Sequence, residues 1–334
     1  MSFLVPKKPQ ILYAPMLASF GGGSARGFNP GGGGGGGAFL EFALIAGGGG
    51  GGDGNAPGGG GGAGGFVSGS GTFPFSPQFR LQLGAGGQAP QGGDQSGAPG
   101  FQTRLYDHVS GGSGCDIRAY GGGRGGSYQT AADAANSTDQ YGSGGGGAGP
   151  HYAHTSGGVH GLNGIVEQSS LIPDISTSFY GGNGADYQTS YKGGGGGGAG
   201  GNASADNGGP AKNPTGQTSS NSLWTSSLLW GRGGFGAPAG GQQGGGSVRG
   251  FGHLGNGGQG SGDVAGYDEQ CGSIGGAIIN FPPDVTVSIT GSNGNMSTTN
   301  ASVNGGTSYI FYDARYYLTN GSNSGYFDIT ITET

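Results

Sequence analysis

The chain has 334 residues, of which 92 are glycine; only 9% are charged, and 12 Lys and Arg against 18 Asp and Glu give a formal net charge of −6. So sparse and scattered a set of cations cannot neutralise a phosphate backbone, which excludes nucleic acid as the expected partner. Hydrophobic residues at 31% leave little for a conventional helical core, and no stretch approaches the roughly 18 apolar residues of a membrane span.

Residues 1–30 are not expected to form a long helix: Pro6, Pro9 and Pro15 interrupt them, and each removes a backbone donor. The segment is too small to bury its own apolar residues. It reads as an extended arm that docks on something larger through Phe3, Leu4, Ile11, Leu12, Tyr13, Met16 and Leu17. Lys7 and Lys8 precede the apolar ILYAPMLASF, but a proline in the middle of that run argues against a signal peptide.

Residues 31–280 form a glycine-rich body. Eighty-six glycines fall in residues 21–276, none in residues 1–20 and six in the last 58 residues. Several occur in unbroken blocks: Gly31 to Gly37, Gly47 to Gly52, Gly58 to Gly62 and Gly193 to Gly198. Glycine has no side chain to bury and loses the most conformational freedom on folding, so helices and ordinary strands are poor homes for such blocks. One residue in three is a collagen-like fraction, but without a Gly-X-Y period a triple helix is excluded.

Two readings of the blocks stand open. One is a disordered low-complexity chain. The other, favoured here, is a bundle of polyglycine II helices with three residues per turn, whose outward-pointing backbone groups bond laterally to neighbours. Apolar segments at intervals, AFLEFALIA (38–46), FRLQL (79–83), SLLW (227–230) and AIINF (277–281), favour order, since linkers have no need of buried strands.

Residues 281–334 revert to alternating β patterns in DVTVSIT (284–290) and YFDITIT (326–332). TNGSNSG (319–325), between SYIFYDARYYL and YFDITIT, reads as a hairpin connection. Fifty-four residues are marginal alone, so this region is expected to pack on the body or on sister chains. The predicted fold is therefore a glycine-rich body of packed polyglycine II-like segments with short β-strands. A small C-terminal antiparallel β region completes it, with essentially no α-helix.

The run LIAGGGGGGDG, then GGGGGAGGFVSG, FRLQLGAGG and finally GGAIINF, resembles the glycine-rich domain of tailed-phage tail-fibre and adhesin-like virion proteins. The resemblance covers roughly residues 38–281, and the N-terminal KPQILYAPMLASFGGGSARGF is similar to the openings of tail-fibre-like structural proteins. It implies a virion component of the tail or tail fibre, a layered polyglycine frame and other virion proteins as partners. The C-terminal β region has no counterpart in that resemblance.

Three long segments interrupt the glycine blocks at 127–141, 150–192 and 210–230; they are rich in Tyr, Ser, Asn and Gln and poor in charge. That composition is shared with paratopes, where tyrosine supplies contact area at low entropy cost, and loops on a rigid frame suit recognition. The candidate receptor-binding residues are Tyr128, Tyr141, Tyr152, Tyr180, Tyr187 and Tyr191. The competing reading is that each tyrosine simply fills a gap against glycine backbone. Trp224 and Trp230 lie in an apolar segment and are expected to pack. Expected partners are other virion proteins through residues 1–30, a host surface glycan or outer-membrane protein, and further copies of the chain.

Catalytic signals are weak. His151, His154 and His160 fall within ten residues, but without a carboxylate or cysteine at ligand spacing they read as surface histidines rather than a metal site. Gly-x-Gly-x-x-Gly is satisfied trivially by glycine runs. No carboxylate pair sits on a recognisable catalytic element. Cys115 and Cys271, 156 residues apart, allow at most one long-range disulfide, and two unpaired thiols are expected. No enzymatic activity, metal or cofactor is expected. Alternatives to an adhesin are a non-adhesive decoration protein of tail or capsid and an extracellular glycine-rich coat protein.

Overall fold

A computed structural model describes residues 36–53, 57–76, 78–90, 95–127, 142–148, 158, 163–166, 170–186, 192–212, 228–237, 253–261, 270–303, 305–315 and 325–334. These contain twelve strands and no α-helix. The strands are β1 (Gly37–Ile45), β2 (Phe66–Pro74), β3 (Phe79–Leu83), β4 (Thr103–Asp107), β5 (Asp116–Ala119) and β6 (Gly164–Val166). They continue with β7 (Ser176–Tyr180), β8 (Gly276–Phe281), β9 (Val285–Gly291), β10 (Met296–Val303), β11 (Gly306–Asp313) and β12 (Gly325–Glu333).

The strands make two antiparallel sheets of six, in the orders β10-β11-β8-β1-β2-β7 and β6-β5-β4-β3-β12-β9. Alternation decides which face is covered. Leu40, Phe42 and Leu44 of β1, with Ile279 and Phe281 of β8, meet Phe79 and Leu81 of β3 and Phe327, Ile329 and Ile331 of β12 in one buried cluster. Two edge-to-face aromatic pairs cross the gap, Phe73–Phe79 at 5.3 Å and Phe311–Phe327 at 5.0 Å between ring centres. The result is a β-sandwich.

The C-terminal strands are divided between its layers, β11 pairing with β8 and β12 pairing with β3. The hairpin read across 319–325 does not form. β11 and β12 lie in different sheets, and pairing each with a different partner brings Phe311 and Phe327 edge to face across the core.

At one end of the sandwich the strands run on into glycine backbone. Beyond the last β1–β2 pair, Ile45 with Phe66, the same two segments stay in contact through Ala46 N to Gly65 O, Gly49 N to Gly62 O and Gly52 N to Gly59 O. Contact now recurs every third residue rather than every second. The intervening amides bond elsewhere: Gly47 and Gly50 donate to Phe101 and Ala98, and Gly48 and Gly51 donate to Ser273 and Gln270. Its carbonyls accept from further segments, Gly47 and Gly50 from Gly122 and Gly125, Gly48 from Gly87, and Gly49 and Gly52 from Gly258 and Ser261. Residues 46–53 are thus surrounded by six neighbouring segments, and three successive donors point in three directions. The bonding pattern thus repeats every three residues.

Residues 58–65 repeat the arrangement. Gly58, Gly61 and Gly64 donate to Ser261, Gly258 and Gly255; Gly59, Gly62 and Gly65 donate to Gly126, Gly123 and Tyr120; Gly60 and Ala63 donate to Gly194 and Gly197. Apart from Ala46 and Ala63 nearest the sandwich, these two runs are glycine up to residue 52 and from residue 58, and a side chain would not fit. A β-carbon placed on Gly47, Gly49, Gly52 or Gly59 would lie well inside 3.0 Å of the backbone carbonyl of Ala85, Gly123, Gly126 or Gly146 respectively. Two segments enter the lattice through left-handed turns, Gly231 at φ +67 and Gly255 at φ +70, both against Ile45, where a side chain would be strained as well as crowded.

Candidate functional site

The end of the lattice remote from the sandwich is where the chain repeatedly leaves the frame. A continuous set of backbone bonds ties the last rungs together: Asp53 N to Gln95 O, Ser261 N to Gly52 O, Gly58 N to Ser261 O, Ala237 N to Gly58 O and Gly193 N to Ala237 O. Gly59 N to Gly126 O, Gly126 N to Gly146 O, Gly194 N to Gly147 O and Gly147 N to Ala185 O complete it. The described stretches that end at residues 53, 127, 148, 186, 237 and 261 therefore stop at or next to these rungs, whereas Gly142, the residue after Tyr141, donates to Gly121 O near the sandwich. The segments after 127, 148 and 186 carry Tyr128, Tyr141, Tyr152, Tyr187 and Tyr191, which lie outside the described residues. The third segment, 210–230, which holds no tyrosine, starts elsewhere. Lys212 and Trp230 exchange backbone bonds at 2.8 and 3.0 Å beside the outer face of the first sheet.

Residues 150–192 are not one continuous surface loop, as the sequence reading had it. They contribute β6 to one sheet and β7 to the other as neighbouring edge strands, with Phe179 of β7 against Gly164 of β6. Gly182 and Ala185 then enter the lattice as acceptors from Gly144 and Gly147. The short apolar patches in this segment complete the sandwich, which the uncharged composition alone does not reveal. Tyr180, read as a loop residue, ends β7 opposite Phe66. Its ring packs edge-on to Phe66 at 5.8 Å, and the Lys212 ammonium sits 3.8 Å from its centre.

Trp230 is buried with Leu228, Ile45, Phe66, Ile278 and Ile310 in a second apolar cluster, on the outer face of the first sheet. Trp224, the docking residues Phe3, Leu4, Ile11, Leu12, Tyr13, Met16 and Leu17, and His151, His154 and His160 lie outside the described residues.

The outer face of the second sheet carries three ion pairs. Arg80 bonds Asp328 at 2.7 and 3.0 Å, and Asp116 receives both Arg104 and Arg118 at 2.6 Å. Arg80 also stacks on Tyr326 at 3.7 Å and Arg104 on Tyr106 at 4.0 Å. Burial alone would raise the Asp116 pKa; the hydrogen bonds and charges of Arg104 and Arg118 outweigh it and hold the carboxyl below its ordinary value. At Asp174 burial likewise pushes upward, and the hydroxyl and amide of Thr72 reverse it. His253 is shifted down by burial and by Arg232.

Both cysteines are buried and neither is in a disulfide; Ala89 N donates to Cys271 Sγ at 3.4 Å. Burial, with the nearby carboxylates of Asp116 and Asp107, pushes the Cys115 thiol up to about 12. Among the described residues no group of three or more His, Cys, Asp or Glu side chains is placed to hold a metal ion. No helix of those residues is long and apolar enough to cross a membrane. No family model, curated protein or solved structure matches the chain.

Proposed function

We propose that this chain is a non-enzymatic structural component of a phage virion, a tail-fibre or adhesin part. It would contact the host surface through tyrosine-bearing loops held on a rigid polyglycine II frame. The observation that carries this reading is that the described stretches ending at residues 127, 148 and 186 stop together at one bonded end of the lattice. A frame in which successive amides are bonded to different neighbours resists local opening, because no single segment can leave without breaking contacts to several others. Loops anchored on such a frame are pre-positioned and lose little freedom on binding. Residues 1–30, with Phe3, Leu4, Ile11, Leu12, Tyr13, Met16 and Leu17, attach the chain to other virion proteins, and the assembly is a homo-oligomer.

The test replaces Tyr128, Tyr141 and Tyr152 together by Ser and measures adsorption of otherwise complete particles to host cells. Aromatic contacts at a recognition centre contribute about 2 kcal/mol or more each, so adsorption should fall at least about tenfold. Unchanged adsorption by fully assembled particles would favour a decoration protein of tail or capsid. An image of the parent particle with this chain labelled locates it on tail or capsid directly.

A further inference from the structure

The chain contains seven Asn-Gly pairs, beginning at Asn163, Asn183, Asn207, Asn256, Asn293, Asn304 and Asn320. In such a pair the glycine nitrogen can attack Cγ of the asparagine, because no β-carbon shields it. Attack requires the nitrogen to give up its proton and the backbone to turn until that nitrogen faces Cγ. An amide held in a hydrogen bond, or packed against other backbone, does neither without local opening. The fold therefore separates pairs that are equivalent in the sequence.

Four of the pairs are restrained. Gly184 donates to Gly158 O at 2.9 Å and Gly257 donates to Arg232 O at 2.8 Å. Asn256 is buried, and its Oδ1 accepts from Arg232 N at 2.9 Å. Asn163 is buried, and Gly164 lies in β6 opposite Ala119. Asn207 exchanges backbone bonds with Ser204 at 2.9 and 3.2 Å, and Gly208 packs against the Gly233 carbonyl with no room for a β-carbon. Asn304 and Asn320 lie outside the described residues.

Asn293 and Gly294 differ on each count. They lie in the turn that carries the chain from β9 in the second sheet to β10 in the first. Ser292, Asn293, Gly294 and Asn295 are all exposed. A β-carbon on Gly294 would meet nothing within 4 Å, and the Gly294 amide donates to none of the described residues. Asn295 N donates to Asn293 Oδ1 at 2.9 Å, which stabilises the negative charge that develops on that oxygen as Cγ is attacked. The ends of the turn are tied without Gly294: Ser292 N donates to Tyr326 O, and Met296 N donates to Asn293 O.

We propose that Asn293 is a self-modification site, at which the folded chain deamidates through Gly294. The Gly294 nitrogen bonds to Asn293 Cγ, the Cγ–Nδ2 bond breaks, and Nδ2 leaves as ammonia with the proton that Gly294 gave up. Water then opens the resulting succinimide. Opening at Cγ gives aspartate; opening at the backbone carbonyl gives isoaspartate, which routes the main chain through Cγ. Either product adds one negative charge to the formal net charge of −6, and no enzyme, metal or oxidant takes part. The site is independent of the tyrosine-bearing loops.

The experiment incubates the full chain at mildly alkaline pH and follows each Asn-Gly peptide by mass spectrometry, with electron-transfer fragmentation to tell aspartate from isoaspartate. In the folded protein the peptide containing Asn293 should gain one mass unit and split into those two forms. The peptides containing Asn163, Asn183, Asn207 and Asn256 should keep their amides. In denaturant all five should convert at comparable rates, which assigns the difference to the fold. Gly294→Ala, at a position with room for a β-carbon, should melt with the parent and largely lose the conversion, because the methyl group shields the nitrogen. An Asn293 that keeps its amide in the folded protein would overturn the proposal. So would equal conversion of all five pairs in the folded protein, or conversion undiminished by Gly294→Ala.

Discussion

Gly195 lies against the carbonyl of Asn207 so closely that a β-carbon on Gly195 would fall well inside van der Waals contact with that oxygen and with the amide nitrogen of Gly208. Its own amide donates to Ala205 at 2.8 Å. Both facts follow from one geometry, in which backbones pack where side chains would ordinarily stand.

Gly195→Val is therefore expected to abolish soluble folded protein. The side chain must push apart the 193–199 and 205–209 segments, and several backbone bonds worth about 1 kcal/mol each are lost together. Gly294 is the matched control, since a β-carbon there meets nothing within 4 Å. Gly294→Ala should express normally and melt with the parent. Equal behaviour of the two variants in a thermal melt would refute the close-packed backbone.

The C-terminal strands should be inseparable from the rest. A chain ending at residue 281 leaves β8 without β11 and β3 without β12, and strips Phe311, Phe327, Ile329 and Ile331 from the core. It is expected to be insoluble, because two long uncovered edges flank an open apolar face. Within the full chain, Phe327→Ala should cost about 3–5 kcal/mol, as for other buried aromatics cut to alanine, read from the denaturant midpoint.

Asp116 gives a pH signature. Its native pKa is depressed and its unfolded value is about 3.9, so the stability it contributes is complete above about pH 4 and is lost as pH falls through the native value. Asp116→Asn should destabilise by about 2 kcal/mol at neutral pH, as for hydrogen bonds to a charged group. The gap to the parent should narrow steadily below about pH 4. A gap that is constant with pH would mean that the two arginines do not hold the carboxylate.

Cys115 should be chemically silent in the native protein. With its thiol pushed to about 12 and its side chain fully buried, almost no accessible thiolate exists at pH 8. Ellman's reagent should leave Cys115 unmodified until denaturant is added. Its modification in the folded state at the rate of a model thiol would contradict the packing of β5 against the core.

Much of this architecture is legible in the sequence because glycine permits so few solutions. AFLEFALIA, FRLQL, AIINF, DVTVSIT and YFDITIT fall on β1, β3, β8, β9 and β12, since alternation and β-branched content speak locally. The partners of those strands do not speak locally. β12 joins β3 across more than 240 residues because Phe327, Ile329 and Ile331 find their buried face there. Nothing in residues 319–325 records that choice. The candidate tyrosines divide for a similar reason. Tyr180 packs on Phe66, and composition cannot distinguish an uncharged loop from an uncharged strand that completes a sandwich.

The central claim is that successive glycine amides bond to different neighbouring segments at a period of three. Through-hydrogen-bond scalar couplings in a deuterated, isotope-labelled sample test it most directly. The account predicts correlations from Gly49 N to the Gly62 carbonyl carbon, from Gly50 N to that of Ala98 and from Gly51 N to that of Gln270, with all three amides protected from exchange. Rapid exchange of these amides, or successive couplings that run to a single neighbouring segment, would contradict it.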